Sequence, residues 1–227
     1  MALARLNKKT LSAAGILPAH VEYESILFDI ALRPFSALRQ AHRKETPMHP
    51  EFLHLIASRH SYRGKYLPTP VPREHLAAIM EAGLQAPSGC NKQTTCLIGV
   101  DDPGLLKRLH AVIQPPAGDS APAMICVLGR RTIAYRDKCY WVQDYAAAIE
   151  NMLLAAVALG YQSCWYEGHV TDADRIGYQM QRILGAPDDY ELVCFLPIGV
   201  AAEDVIIRQK KPFHERAWFN GFGGSEK

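Results

Sequence analysis

The sequence predicts an α+β fold, a mixed sheet covered by helices. Three observations lead there. Helical and extended patterns intermix along the chain without the regular βαβ rhythm of a parallel sheet. No G-x-G-x-x-G follows a strand pattern, which argues against a Rossmann dinucleotide site. One long helical stretch, 142–159, carries small and apolar residues (Ala146, Ala147, Ile149, Leu153, Ala156, Val157) almost all round. Such a helix belongs at the centre of a fold or in a subunit interface.

The elements follow in order. A helical extension is expected over residues 1–48, with Ile26, Leu27, Ile30 and Ala31 at helical spacing and a break at Pro34. Its expected role is packing on a partner subunit or on its own domain. Glu22, Glu24 and Asp29 do not suit an acid-poor transit peptide. The run Thr46-Pro47-Met48-His49-Pro50 reads as the joint to a domain over 49–227. A short helix is expected from Pro50, with Phe52, Leu55 and Ile56 inward, ending before Arg59. A second helix begins at Pro72, buries Leu76, Ile79, Met80 and Leu84, and stops at Pro87. Residues 94–100 read as a strand, Asp101-Asp102-Pro103-Gly104 as the start of a helix through His110, and 123–128 as a buried strand. Gly160 terminates the long helix. Residues 162–166 read as a short strand. Thr171-Asp172-Ala173-Asp174 resembles a capping box, opening a helix that closes at Gly185-Ala186-Pro187. Residues 192–200 form a last strand, and the tail carries Phe213, Trp218 and Phe219.

Composition excludes several function classes. A net charge of +2 is too small to argue for nucleic acid or an anionic membrane surface. The most apolar helical stretch is broken by Glu150 and Asn151 and is too short to span a bilayer. The N-terminus lacks a signal-peptide layout. The six cysteines form neither C-x-x-C nor a zinc-type spacing, so a reducing cytoplasm is expected and no metal. Cys126, Cys164 and Cys194 lie in apolar runs, where a thiol acts as a small hydrophobe.

Chemistry concentrates in four segments. In Arg59-His60-Ser61-Tyr62-Arg63, two guanidinium groups and a hydroxyl alternate. In an extended chain alternate side chains point the same way. Arg59, Ser61 and Arg63 then converge as a fork for a phosphate, because arginine donates in a planar, bidentate manner. The loop Ala86-Pro87-Ser88-Gly89-Cys90-Asn91-Lys92-Gln93 offers donors and acceptors on a shaped backbone. In Trp165-Tyr166-Glu167-Gly168, the glycine admits close backbone approach to a flat ligand. Arg208-Gln209-Lys210 repeats the alternate cations.

In this order the segments resemble the FMN-dependent nitroreductase family. Arg59, Ser61 and Arg63 match its Arg-x-Ser-x-Arg/Lys; Ala86, Pro87, Ser88, Asn91 and Gln93 match its Ala-Pro-Ser-x-x-Asn-x-Gln. Residues 149–156 with Leu159-Gly160 match its central helix, Glu167-Gly168 its Glu-Gly, and Arg208, Lys210 and Pro212 its closing basic-x-basic-x-Pro. The resemblance covers about residue 50 to the end. It implies a three-layer α/β/α arrangement, a mainly antiparallel sheet, and an intertwined homodimer with FMN at the subunit interface. It implies that Arg59, His60, Ser61, Arg63, Arg208 and Lys210 hold the FMN phosphate and ribityl chain. Trp165 and Tyr166 lie beside the ring, and Glu167 and Gly168 offer backbone N–H groups to it. Pro87, Ser88, Gly89 and Asn91 reach the flavin of the other subunit, and Gln114 matches a polar residue near the ring. No side chain is implied as the catalytic acid or base. The implied activity is a ping-pong oxidoreductase that takes hydride from NAD(P)H and reduces a flat small-molecule acceptor such as a nitroaromatic or quinone.

Two departures stand out. Thr94-Thr95 follow Gln93 where relatives often continue with proline and an aromatic, and 130–141 falls where relatives vary and shape substrate access. Two other functions are compatible with the same residues: a non-catalytic flavin- or phosphate-binding interaction module, and a specialised dehydrogenase or dehalogenase branch of the same fold.

Overall fold

A computed structural model describes residues 49–168, 175–206 and 208–223. The expected helical extension and the Thr171–Asp174 capping box lie outside the described residues. The described elements are α1 (Pro50–Ser58), α2 (Arg73–Leu84), β1 (Thr95–Val100), α3 (Pro103–His110), β2 (Ala123–Gly129), β3 (Ile133–Tyr135), β4 (Lys138–Cys139), α4 (Trp141–Ala158), β5 (Tyr166–Glu167), α5 (Ile176–Leu184) and β6 (Glu191–Ile198).

Four strands form an antiparallel sheet in the order β1-β2-β6-β5. Strand β2 is buried along its whole length and β6 along all but its first residue. Their sequences, Ala-Met-Ile-Cys-Val-Leu and Leu-Val-Cys-Phe-Leu, are continuous apolar runs because helices cover both faces. Ile125, Val127, Leu196 and Ile198 face Leu76 and Ile79 of α2 and Ile149, Met152 and Ala156 of α4. Met124, Cys126, Leu192 and Phe195 face Leu106 and Leu109 of α3 and Ile176 and Met180 of α5. The architecture is therefore three layers, α/β/α, as expected.

Local chemistry explains the element ends. Asp102 caps α3, its side chain accepting the Leu105 N–H at 2.7 Å, with Pro103 in the first turn. Gly185 closes α5 in the left-handed region at φ 67°. Helices α2 and α4 approach closely at Gly83, where a Cβ would meet the Met152 side chain, and Asn151 Nδ2 donates to the Ala82 carbonyl at 3.1 Å.

Some expectations are corrected. Phe52 and Ile56 of α1 are exposed rather than inward, and none of the α1 residues is buried. Helical spacing shows that they share a face; it does not supply a cover. Leu84 is 58% exposed, because the buried stripe of α2 runs Leu76, Ile79, Gly83 and leaves Leu84 past its edge. The strand expected over 162–166 pairs regularly only at Tyr166–Glu167, while Gln162 makes an isolated bridge to Gly199. The short β3–β4 hairpin was not anticipated.

The start of α5 presses on the sheet. The Gly177 N–H donates to the Gly168 carbonyl at 2.5 Å, and a Cβ on either glycine would run into the Leu192 carbonyl oxygen. That obstacle is backbone and cannot rotate away. Gly177→Ala is expected to cost about 1–3 kcal/mol, the range for overpacking, measured as a lower urea midpoint at unchanged slope.

Candidate functional site

The site is built around the edge strand β5 and an extended segment, 59–67, running beside it. The Tyr62 N–H donates to the Ser163 carbonyl at 2.9 Å, the Leu67 N–H to Val200 at 2.9 Å, and the Ala202 N–H to Lys65 at 2.8 Å. Tyr66 bridges to Ala201. Period two is obeyed: Tyr62 and Tyr66 are buried and stack edge to face at 5.1 Å, while Ser61, Arg63 and Lys65 are exposed. Arg59, more enclosed, makes one ion pair, Nε to Glu150 Oε1 of α4 at 3.1 Å. Arg63 has no acidic partner among the described residues. Lys65 ends the row on Asp119 at 2.9 Å, and Ser120 Oγ accepts the Tyr66 N–H at 3.0 Å.

The buried Cys164 thiol marks where this segment meets β5. Its Sγ donates to the Trp165 carbonyl at 3.6 Å, and it lies in the field of Arg63 and Arg59. Burial pushes the thiol up, against the pull of those cations. Burial also pushes the Tyr166 phenol up to about 12, with Cys164 adding and Arg63 opposing, and it raises Tyr66 further. Several polar atoms of these segments are enclosed with no hydrogen-bond partner among the described residues: His60 Nε2, Ser163 Oγ and Tyr66 Oη, and on the strand's other face Trp165 Nε1. The acceptor-only Ser58 carbonyl, 2.8 Å from His60 Nδ1, places the His60 proton on that nitrogen. The Arg63 guanidinium, without an acidic partner among the described residues, and enclosed polar atoms of the same segment are a donor set that fits an anionic, polar ligand.

Residues 165 and 167 point to the opposite face from 164 and 166. Trp165 joins a ladder with Tyr145 (6.4 Å) and Trp141 (5.5 Å), capped by the Arg131 guanidinium 4.8 Å over Trp141. Tyr145 lies in the field of Glu167. Tyr166 stacks on Phe195 at 5.3 Å instead. One detail corrects the sequence reading. The Gly168 N–H donates to the Val193 carbonyl at 2.8 Å, so it is committed to the sheet, and the missing side chain admits α5 and β6 backbone.

The 87–93 loop is a separate rigid feature. Cys90 (φ 49°), Asn91 (φ 54°) and Gln93 (φ 49°) are all left-handed without being glycine. Each costs of order 1 kcal/mol or more. Ser88 Oγ accepts the Gln93 N–H at 2.9 Å, and Gly89 lies flat on the Tyr140 ring. Asp144, in the first turn of α4 and 5% exposed, accepts the Gly89 N–H at 2.8 Å and the Thr94 hydroxyl at 2.7 Å.

Among the described residues no hydrogen bond or ion pair joins this loop to the 59–63 segment. Pro87 and Asn91 are exposed, and Ser88 and Gly89 half-buried. Gln114 is exposed in the turn after α3, and Arg208 and Lys210 are exposed with no ion pair among the described residues. Within one chain, then, Arg59, Ser61 and Arg63 act on Cys164, and Arg63 on Tyr166, while Trp165 and Glu167 lie on the strand's other face; among the described residues no hydrogen bond or ion pair brings the loop, Gln114 or the tail cations to them. Sequence reading missed Asp144, Cys164, Lys65 and Asp119. Only Asp144 left a signal, as a lone acid in the first turn of an apolar helix.

Comparison with known proteins decides the family. The Nitroreductase family model matches residues 56–114 and 106–200. The chain belongs to the nitroreductase family. A protein of Archaeoglobus fulgidus, named for NADH dehydrogenase/NAD(P)H nitroreductase activity, is 30% identical over 155 residues, 68% of this chain and 87% of its own. An FMN-dependent nitroreductase of Clostridium difficile superposes with TM-score 0.64 at 26% identity, over 75% of this chain and 99% of its own. A nitroreductase with bound FMN from Bacteroides fragilis gives TM-score 0.63 at 25% identity, over 75% and 99%. Among the described residues no helix is long and apolar enough to cross a membrane, and no acid, histidine or cysteine group could hold a metal.

The raised Tyr166 fixes a pH dependence. In the unfolded chain a tyrosine ionises near 10, and in the folded protein this one does so near 12. The stabilisation is whole below pH 10 and is lost as pH rises toward 12. The urea midpoint is expected to fall over that window, with Tyr166→Phe flattening the fall; an equally steep fall in the variant would assign it elsewhere.

Proposed function

We propose that this protein is an FMN-dependent oxidoreductase that takes hydride from NAD(P)H and reduces a flat acceptor, such as a nitroaromatic or a quinone, by a ping-pong scheme. The observation that carries the reading is that Arg63, Ser61 and Arg59 all act on the one Cys164 thiol beside the edge strand, Arg63 having no acidic partner among the described residues. A nicotinamide donor and an FMN are consistent with what the similar proteins are named for.

The chain's own residues bind and orient. Arg59 and Arg63 donate to the phosphate, and Ser61 adds a neutral hydroxyl. Arg208 and Lys210 bring further charge, and His60 serves the ribityl chain. Trp165 and Glu167 line the ring side, and Tyr166 and Gly168, engaged by the Phe195 ring and the Val193 carbonyl, hold the strand that carries them. When bound, FMN supplies the two-electron chemistry between donor and acceptor. Cations and N–H donors around the ring stabilise negative charge that develops there.

A homodimer with one cofactor in each interfacial site completes the reading. The apolar side chains of Phe52, Leu53 and Ile56 on α1, and Leu84 on α2, are left exposed in a single chain. The three on α1 share one short helix and mark an association surface. In the dimer Pro87, Ser88, Gly89 and Asn91 reach the partner's cofactor, and Gln114 adds a polar contact. The domain spans 49–227 with an N-terminal helical extension, and six unbonded cysteines suit a reducing cytoplasm.

The purified protein is expected to be yellow, to release FMN on denaturation, and to bleach with NADH or NADPH without oxygen. Each charge-assisted hydrogen bond contributes about 1.5–3 kcal/mol. Replacing Arg59 and Arg63 together by alanine should therefore weaken FMN binding by about 100-fold or more. Unchanged occupancy in the double variant would remove the phosphate fork, and a colourless protein that ignores added FMN would remove the function.

A further inference from the structure

The loop 88–94 presents a paradox of placement. Three of its non-glycine residues, Cys90, Asn91 and Gln93, occupy the left-handed region, yet their side chains are exposed. The strained backbone therefore gains nothing from burying those side chains in its own chain. Something inside the chain must hold the loop, and something outside must use it.

The holder is a single carboxylate. Asp144 is a buried acid with no cationic partner among the described residues. Both of its oxygens face the loop: Oδ1 takes the Gly89 N–H at 2.8 Å, and Oδ2 takes the Thr94 hydroxyl at 2.7 Å. Gly89 and Thr94 bracket the left-handed residues, so one rigid group at the head of α4 fixes both ends of the strained stretch. The Thr94 carbonyl in turn accepts the Arg130 N–H at 3.0 Å, which ties the far end to the end of β2. The interior is closed by Ser88, whose Oγ accepts the Gln93 N–H and whose carbonyl accepts the Asn91 N–H, both at 2.9 Å. Charge-assisted acceptance makes the Asp144 bonds the strong members of this set.

We infer that Asp144 is a positioning residue: it clamps the 88–94 loop in its left-handed shape so that the exposed polar face of the loop meets the cofactor of the partner subunit. This rests on the function proposed above. Asp144 touches neither cofactor nor substrate; it acts through Gly89 and Thr94.

The test uses the full-length holoenzyme and two readouts, the FMN dissociation rate and hydrogen exchange of the 89–93 amides. Asp144→Ala should speed both by at least tenfold. Thr94→Val, which removes one bond and keeps the shape, should speed both by about threefold. Asp144→Asn keeps an acceptor for Gly89 and a partner for Thr94, and should stay within threefold of the native protein. Leu109→Ala, a cavity variant under the other face of the sheet, controls for general destabilisation. If Leu109→Ala releases FMN as fast as Asp144→Ala, or if Asp144→Ala exchanges its loop amides at the native rate, the clamp is overturned. If Asp144→Ala does not fold, Thr94→Val and Asp144→Asn decide, and native rates in Thr94→Val overturn it. A native protein that carries no FMN would instead overturn the function proposed above, and this inference with it.

Discussion

The antiparallel pairing of β2 with β6 is the constraint on which the rest depends. Both strands are apolar on both faces, so neither is stable until helices close over each side. The α2–α4 pair closes one face and the α3–α5 pair the other. Once that sandwich exists, β5 can only be an edge strand on β6, registered by Tyr166 against Phe195 and Glu167 against Cys194. The register turns Trp165 and Glu167 toward α4 and sends Tyr166 and Cys164 to the other side. The site is thus a consequence of where the sheet stops.

Two kinds of tension are held in the domain, one at that edge and one in the loop before β1, at the sheet's other edge. One is electrostatic: Arg63, with no acidic partner among the described residues, stands near a buried thiol and a half-buried phenol, both disfavouring charge of their own. The other is conformational, in the left-handed residues of the 88–93 loop. Stability alone would select against both. In the segment that carries Arg63, His60 Nε2 and Tyr66 Oη are enclosed with no hydrogen-bond partner among the described residues, and a polar ligand would satisfy them.

Much of this was legible in the sequence, for identifiable reasons. Continuous apolar runs gave β2 and β6, and the cap at Asp102 and the glycine at 185 gave element ends, because these signals are local. The alternation of Ser61, Arg63 and Lys65 with Tyr62 and Tyr66 follows the fixed period of an extended strand, whereas Arg59, its N–H on the Leu55 carbonyl, closes α1. Other features depended on contacts distant in sequence. Asp144 lies 50 residues from the Thr94 it holds. The Gly168 N–H reads as a donor for a ligand until β6 is seen to claim it. Phe52 and Ile56 share a helical face, but periodicity cannot say whether the cover comes from the same chain. The β3–β4 hairpin turns at Arg136, left-handed at φ 52°, with neither glycine nor asparagine to announce it.

The central claim is that the 59–63 segment recognises a phosphate and not merely a flat ring. Titration of the apoprotein with FMN and, separately, with riboflavin tests it directly, since the two differ only in that group. A phosphate clamp of two arginines and a serine predicts that FMN binds at least about 100-fold more tightly. Equal affinity for the two would contradict it.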